Sequence, residues 1–129
     1  MPSFGTLKAD TLTHSTAGSL ATNFVVEGSA KVWVNFDGTA SGAAARDSFN
    51  VASMTDGGTG LYTVTYTNSL GNVNYSTTGA AGENDDSGGN RSLGLRARAA
   101  GSQNLRGFRD GVSADDMAEM CIQITGDLA

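Results

Sequence analysis

The chain has 129 residues, a net charge of −5, one Cys, and 18 Gly, 13 Ser and 14 Thr against a single Pro. That length fits one domain, and the Gly/Ser/Thr load excludes a helical bundle, because all three residues are poor in helix interiors. A single Cys excludes an internal disulfide framework and a Cys-based zinc site, and the acidic balance argues against general nucleic-acid binding.

No apolar run is long enough for a spanning helix, so no membrane insertion is expected. The first 30 residues lack the basic start and apolar stretch of a secretory signal. A soluble, β-leaning chain made in a reducing cytoplasm is the expectation.

Residues 1–30 scatter Phe4, Leu7, Leu12, Leu20, Phe24, Val25 and Val26 among small polar residues. These are too few for a core of their own. The stretch is expected to be an extended arm with short strands, laid on its own domain or on a neighbouring subunit, with residues 31–129 forming the β-domain. Lys31 to Phe36 then alternates, Val32, Val34 and Phe36 facing one way and Lys31, Trp33 and Asn35 the other. A Trp on the second face predicts that this face meets a second layer or a partner. Asp37-Gly38 supplies turn chemistry, and residues 38–45 are small and flexible.

Asp47 to Met54 reads as one strand with Phe49, Val51 and Ser53 on a common face. Asp56-Gly57-Gly58-Thr59-Gly60 is a turn, since glycine reaches positive φ without steric cost. Leu61 to Asn68 places Tyr62, Val64 and Tyr66 opposite Thr63, Thr65 and Thr67. A turn at Leu70 to Asn72 precedes a strand over Val73 to Thr78. Residues 79–92 read as a long polar loop, of a length that is usually functional or disordered.

Leu93, Leu95 and Ala97 alternate with Gly94, Arg96 and Arg98, as in a half-buried strand. Residues 99–113 read as loop, anchored by Leu105, Phe108 and Val112. Ser113-Ala-Asp-Asp116 resembles a capping box and predicts a short helix through Met120. Cys121 to Thr125 closes the chain as a strand with Ile122 and Ile124 on one face. About seven short strands with regularly spaced turn signals imply an all-β fold, an antiparallel β-sandwich of jelly-roll-like type.

Arg91, Arg96, Arg98, Arg106 and Arg109 are five of the eight basic residues, in a stretch with no Asp or Glu. Their planar donor forks suit carboxylates, phosphates and sugars. They would meet an acidic partner or an anionic glycan, or pair across subunits with Asp85, Asp86, Asp115 and Asp116. The stretch lacks a helix or ribbon motif for DNA. Trp33, Arg96, Arg98, Arg106 and Arg109 are therefore the candidate interface residues.

Other candidates read more plainly. His14, the only histidine, has no nucleophile elbow to serve and is expected at the surface or packed. Glu83, Asp85 and Asp86, with Asn84 and Asn90, offer oxygen ligands for Ca²⁺, but their spacing is not that of an EF-hand, so a solvated acidic loop is expected. Trp33, Tyr62, Tyr66 and Tyr75 could stack a sugar, yet their strand positions favour packing. Cys121 is expected to be a small buried hydrophobe. No base lies beside a nucleophile and no metal triad is present. The chain is not expected to be an enzyme or to carry a cofactor, and only a two-carboxylate glycosidase survives as a remote alternative.

The central block carries a resemblance. Ala30-Lys-Val-Trp-Val-Asn-Phe-Asp-Gly38, Arg46-Asp-Ser-Phe-Asn-Val51, Thr55-Asp-Gly-Gly-Thr-Gly60 and Tyr62-Thr-Val-Thr-Tyr66 follow one another in an order that resembles a family of β-rich virion proteins of tailed bacteriophages. That family is common among marine and cyanobacterial phages and is usually labelled tail fibre or host-specificity protein. Leu7-Lys-Ala-Asp-Thr-Leu12 and Cys121-Ile-Gln-Ile-Thr-Gly126 resemble its start and its final strand. The match covers residues 30–78, and residues 79–113 depart from the pattern.

The resemblance implies a virion protein assembled in the host cytoplasm, as a homotrimer that contacts other virion proteins and a host-surface glycan. A trimeric tail-fibre or adhesin component is the leading expectation. A capsid decoration (cement) protein and a soluble carbohydrate-binding module are the alternatives.

Overall fold

The structure is a computed structural model that describes residues 8–83 and 89–129. Among the described residues, eleven strands and one short helix follow in the order β1 (Thr11–His14), β2 (Gly18–Ala21), α1 (Thr22–Gly28), β3 (Ala30–Phe36), β4 (Ala45–Phe49), β5 (Val51–Asp56), β6 (Leu61–Tyr66), β7 (Ser76–Gly82), β8 (Arg91–Ala99), β9 (Ser102–Arg109), β10 (Ser113–Ala114) and β11 (Glu119–Thr125). Two antiparallel sheets pack face to face, as the alternation predicts. One has the order β4-β3-β11-β7; the other runs β10-β9-β6-β5, with β8 on the far side of β9.

The core lies between them. Val32, Val34 and Phe36 of β3 and Met120, Ile122 and Ile124 of β11 face Tyr62, Val64 and Tyr66 of β6 and Leu105 of β9. The rings of Phe36 and Tyr62 meet edge to face with centroids 5.1 Å apart. Gly79 closes the β7/β8 side of the sandwich. A Cβ there would meet the Cys121 carbonyl at 2.5 Å and the Leu93 side chain at 2.6 Å, so its absence lets Leu93 cross over.

The stretch expected as one strand over residues 47–54 is two strands in two different sheets. Asn50 lies between them with φ +59°, a left-handed conformation that Asn tolerates better than most residues. Its amide donates to the Lys31 and Asn68 carbonyls, both at 3.0 Å, and its Oδ1 accepts the Asn68 N–H at 2.7 Å. The corner breaks the alternation. Phe49 is left 55% exposed, while Val51 and Met54 pack on the core and Ser53 faces solvent.

Four other expectations are corrected. Residues 102–109 are not loop: β9 is a central strand that pairs with β6, β8 and β10. Its inward positions include Gln103 and Gly107, which hide the apolar signal. The helix expected over 113–120 is absent. Ser113 and Ala114 pair with β9, and Asp116 Oδ1 instead accepts the Tyr62 hydroxyl and the Gly60 N–H, each at 2.7 Å. The strand expected at 73–78 begins at Ser76 and runs to Gly82, which shortens the following loop. Finally, residues 22–28 of the arm are helical where extended chain is expected.

The corner and the core phenols each give a test. Asn50→Ala loses four hydrogen bonds, worth about 0.5–1 kcal/mol each at this half-exposed corner, and gains left-handed strain. It should lower the urea-unfolding free energy by roughly 3 kcal/mol, and Asn50→Gly, which relieves only the strain, should recover about 1 kcal/mol of that loss. The second concerns pH. Burial, then the hydrogen bond to Asp116, raises the Tyr62 phenol above its ordinary value, and burial, then the hydrogen bond to Tyr75, raises Tyr66. The unfolded phenols ionise near pH ~10 while the folded ones stay neutral. Their stabilisation is therefore complete below that pH and is lost as pH rises above it. Alkaline titration should show tyrosinate absorbance from these two rings appearing together with loss of the far-UV β signal, not ahead of it.

Candidate interaction surfaces

The arm comes first. The β1–β2 hairpin is closed at its turn by His14, whose Nδ1 accepts the Ala17 and Thr16 amides at 3.1 and 3.3 Å. The only histidine is thus an exposed turn residue. Thr22 ties α1 back to the hairpin, its N–H donating to the Asp10 carbonyl and its hydroxyl to the Ala9 carbonyl. No residue of α1 is buried and its N-cap makes no side-chain hydrogen bond. Leu12, Leu20, Phe24, Val25 and Val26 all stand exposed.

The second surface is the outer face of the four-stranded sheet. Register sets Phe49, Trp33, Gln123 and Thr78 in one row across four strands, with Asp47, Asn35, Cys121 and Ala80 in the next. Trp33 is half-buried, and a shallow trough of about 300 Å³ runs beside it. Cys121 is exposed in this row, which corrects the expectation of a buried thiol. β11 alternates strictly, and Cys121 takes the outward parity while Met120 and Ile122 take the core.

At one end of the same sheet lies a larger groove of about 780 Å³, bordered by Val26, Phe49, Asn50, Asn68 and Leu128. Lys31 borders it too and is only 6% exposed. Its Nζ donates to the Ser29 carbonyl and hydroxyl, both at 2.8 Å. Phe49 and this groove have no counterpart in the sequence reading, because the corner at Asn50 creates both.

The third surface is the arginine-bearing edge, β8 with β9. Leu95 pairs with Leu105 and Arg98 with Gln103, so β8 carries one extra residue between them. That bulge puts Arg96 and Arg98, two apart in sequence, on opposite faces, which corrects the simple alternation expected there. The buried Gln103 donates through Nε2 to the Arg96 and Ala97 carbonyls at 3.1 and 3.4 Å. It occupies backbone acceptors that the bulge removes from the ladder.

The sorting has an electrostatic result. Arg91 pairs with Glu83 at 3.0 Å. Arg98 donates to the Tyr75 carbonyl at 3.1 Å and lies over the Tyr75 ring. Arg109 forms an ion pair with Asp115. These partners are within the chain. Arg96 and Arg106 have no ion pair among the described residues, and Arg106 lies over the Phe108 ring, 5.0 Å from its centroid. Trp33 lies on the other sheet, so the five candidate residues do not form one surface.

Of the acidic loop, Asn84, Asp85 and Asp86 lie outside the described residues. Among the described residues no three His, Cys, Asp or Glu side chains converge as metal ligands, and no helix is long and apolar enough to cross a membrane. Tyr62, Tyr66 and Tyr75 are buried in the core and offer no stacking platform. Comparison with protein-family models, curated proteins and solved structures finds no match.

The exposed thiol gives a direct check of these placements. At a dilution where the chain is monomeric, native protein should react with a maleimide at Cys121 without denaturant. A monomer whose thiol reacts only after unfolding would mean that its row faces inward.

Proposed function

We propose that this chain is a homo-oligomeric structural component of a bacteriophage particle, of tail-fibre or adhesin type. The observation that carries the reading is the arm. A lone two-stranded hairpin is marginal in water, and a seven-residue helix without a side-chain N-cap is weaker still. Five large apolar side chains on these elements remain uncovered, so the arm lacks the burial that would hold it in place. It suits a segment that is completed by a neighbour.

Magnitudes favour more than arm contact alone. Covering a half-exposed aliphatic or aromatic side chain contributes on the order of 1 kcal/mol, so five give about 5 kcal/mol per arm. Association costs roughly 4–15 kcal/mol in lost freedom. The row of Trp33 and Phe49 is the natural supplement, being the apolar part of an exposed sheet face. Threefold symmetry and the particle itself are implied by the resemblance of residues 30–78 to phage virion proteins.

Sedimentation of the full chain and of residues 30–129 tests the reading. The full chain should run as a trimer at micromolar concentration, with Cys121 protected from maleimide. The shorter chain should keep its β spectrum, lose the trimer and expose the thiol. Trp33→Ala in the full chain should weaken the trimer at least tenfold, about the loss of one well-buried aromatic anchor. A full chain that remains a monomer and is absent from particles would overturn the proposal. Antibody labelling on the shell instead of the tail would replace the fibre with a decoration protein.

A further inference from the structure

The outer face of the five-stranded sheet is separate from the arm and from the Trp33 row. It carries Arg96 of β8, Asn104 and Arg106 of β9, and Thr63 and Thr65 of β6. Arg106 pairs in register with Gly94, two residues before Arg96. Arg96 and Arg106 are therefore diagonal neighbours on one face, at a backbone separation that long side chains can span. Neither has an ion pair among the described residues. The other three arginines of the stretch each have a partner within the chain.

Arg106 is also held in place. Gly94 leaves room for Phe108, since a Cβ there would meet the ring at 2.7 Å, and the Arg106 guanidinium lies over that ring. Its Nε is buried without a hydrogen-bond partner, so this cation is partly desolvated. Beside Arg96 a trough of about 360 Å³ is lined by Leu61, Thr63 and Asn104. Thr63 Oγ1 donates to Asn104 Oδ1 at 3.1 Å, which leaves the Asn104 amide hydrogens to point elsewhere. Asp56, at the end of β5, has Oδ1 engaged by the Gly58 N–H at 2.8 Å.

We propose that this face binds a carboxylate-bearing saccharide. Its carboxylate would sit between Arg96 and Arg106, and its hydroxyls on Asn104 and Thr63. Two cations beside short hydroxyl and amide side chains fit one anionic group on a polyhydroxylated ligand. A nucleic acid fits poorly, because affinity for it grows with the number of neutralised phosphates, and only two cations are available on a chain of net charge −5. Nothing in this requires a phage particle, since the face is open on a single chain.

The test is calorimetric titration of the full-length chain with two acidic probes, an oligogalacturonate and a sialic acid oligosaccharide, and with the methyl ester of the first. Binding of either acid, with the neutral ester at least about tenfold weaker, is the expected result. Arg96→Gln should weaken it by a similar factor, while Lys8→Gln, an equal charge change in the arm, should leave it unchanged. Arg106→Gln should act like Arg96→Gln; as Arg96 is exposed, its variant decides the matter should Arg106→Gln not fold. Failure of both acids to bind, equal binding of the ester, full displacement by equimolar inorganic sulfate or DNA, or an unaffected Arg96→Gln variant would each overturn the proposal. The ratios between acid and ester and between variants are compared at one oligomeric state, measured by sedimentation beforehand, so they are read separately from the assembly proposal.

Discussion

The left-handed turn at Asn50 is the constraint on which the rest of the molecule depends. A continuous strand from Asp47 to Met54 could serve only one sheet. With φ +59° at Asn50, the chain leaves the β4 edge of one sheet and enters the β5 edge of the other. The side chain then ties the corner to the Lys31 carbonyl at the start of β3 and to Asn68 after β6. One polar residue thus fixes both layers relative to each other at that end. It also puts Phe49 outside beside Trp33 and Val51 inside against the core, and it forms a wall of the large groove. Packing, surface and groove all follow from one backbone conformation that few residues adopt cheaply.

A second local irregularity does for charge what Asn50 does for packing. Without the bulge in β8, Arg96 and Arg98 would share a face. With it, Arg98 turns to the Tyr75 ring at the sandwich margin, and Arg96 joins Arg106 on the open side. The arrangement needs a buried hydrogen-bond donor for the carbonyls freed from the ladder. Gln103, fully buried and bonded to both, is that donor. Its polarity is therefore a requirement of the bulge and not a flaw in the core. Replacing it with Leu would leave carbonyls without partners, which costs more than the added apolar area returns.

The alternating strands β3, β6 and β11 are legible from residue pattern alone because each devotes every second position to Val, Ile, Met, Phe or Tyr. The sandwich follows from them. β9 escapes that reading, since two of its inward positions are Gln103 and Gly107. The first is occupied by the bulge. The second is small because a Cβ would meet the Asp115 carbonyl at 2.7 Å. Ser113 to Asp116 fails as a helix for a related reason. Its carboxylates have tertiary uses, Asp115 with Arg109 and Asp116 with Tyr62, and a local capping signal carries no information about them. Of the candidate surface, the concentration of arginine was visible in sequence, but its division into paired and unpaired members was not. That division is set by an unpaired residue in a ladder, and alternation is blind to it. Phe49 is misplaced by the same blindness to the corner, whereas Cys121 is misplaced by residue type: the shared face of Ile122 and Ile124 already puts it on the outward parity.

The proposed roles of the two faces are mutually consistent in geometry. Strand parity gives each sheet one face for the core and one for the outside, so a sandwich offers two opposed outer surfaces. The four-stranded sheet presents Trp33 and Phe49, apolar and suited to a neighbour. The five-stranded sheet presents Arg96, Arg106, Asn104 and Thr63, which would lose hydration without compensation if buried against an apolar partner. Self-association through the first face and the arm would therefore leave the second pointing away from the contact. A shallow site with two cations gives weak binding on its own, but copies held at fixed spacing convert later contacts into intramolecular events at high effective concentration. On that reasoning the arm and the saccharide face are complementary parts of one device: assembly multiplies a contact that a single copy holds only briefly.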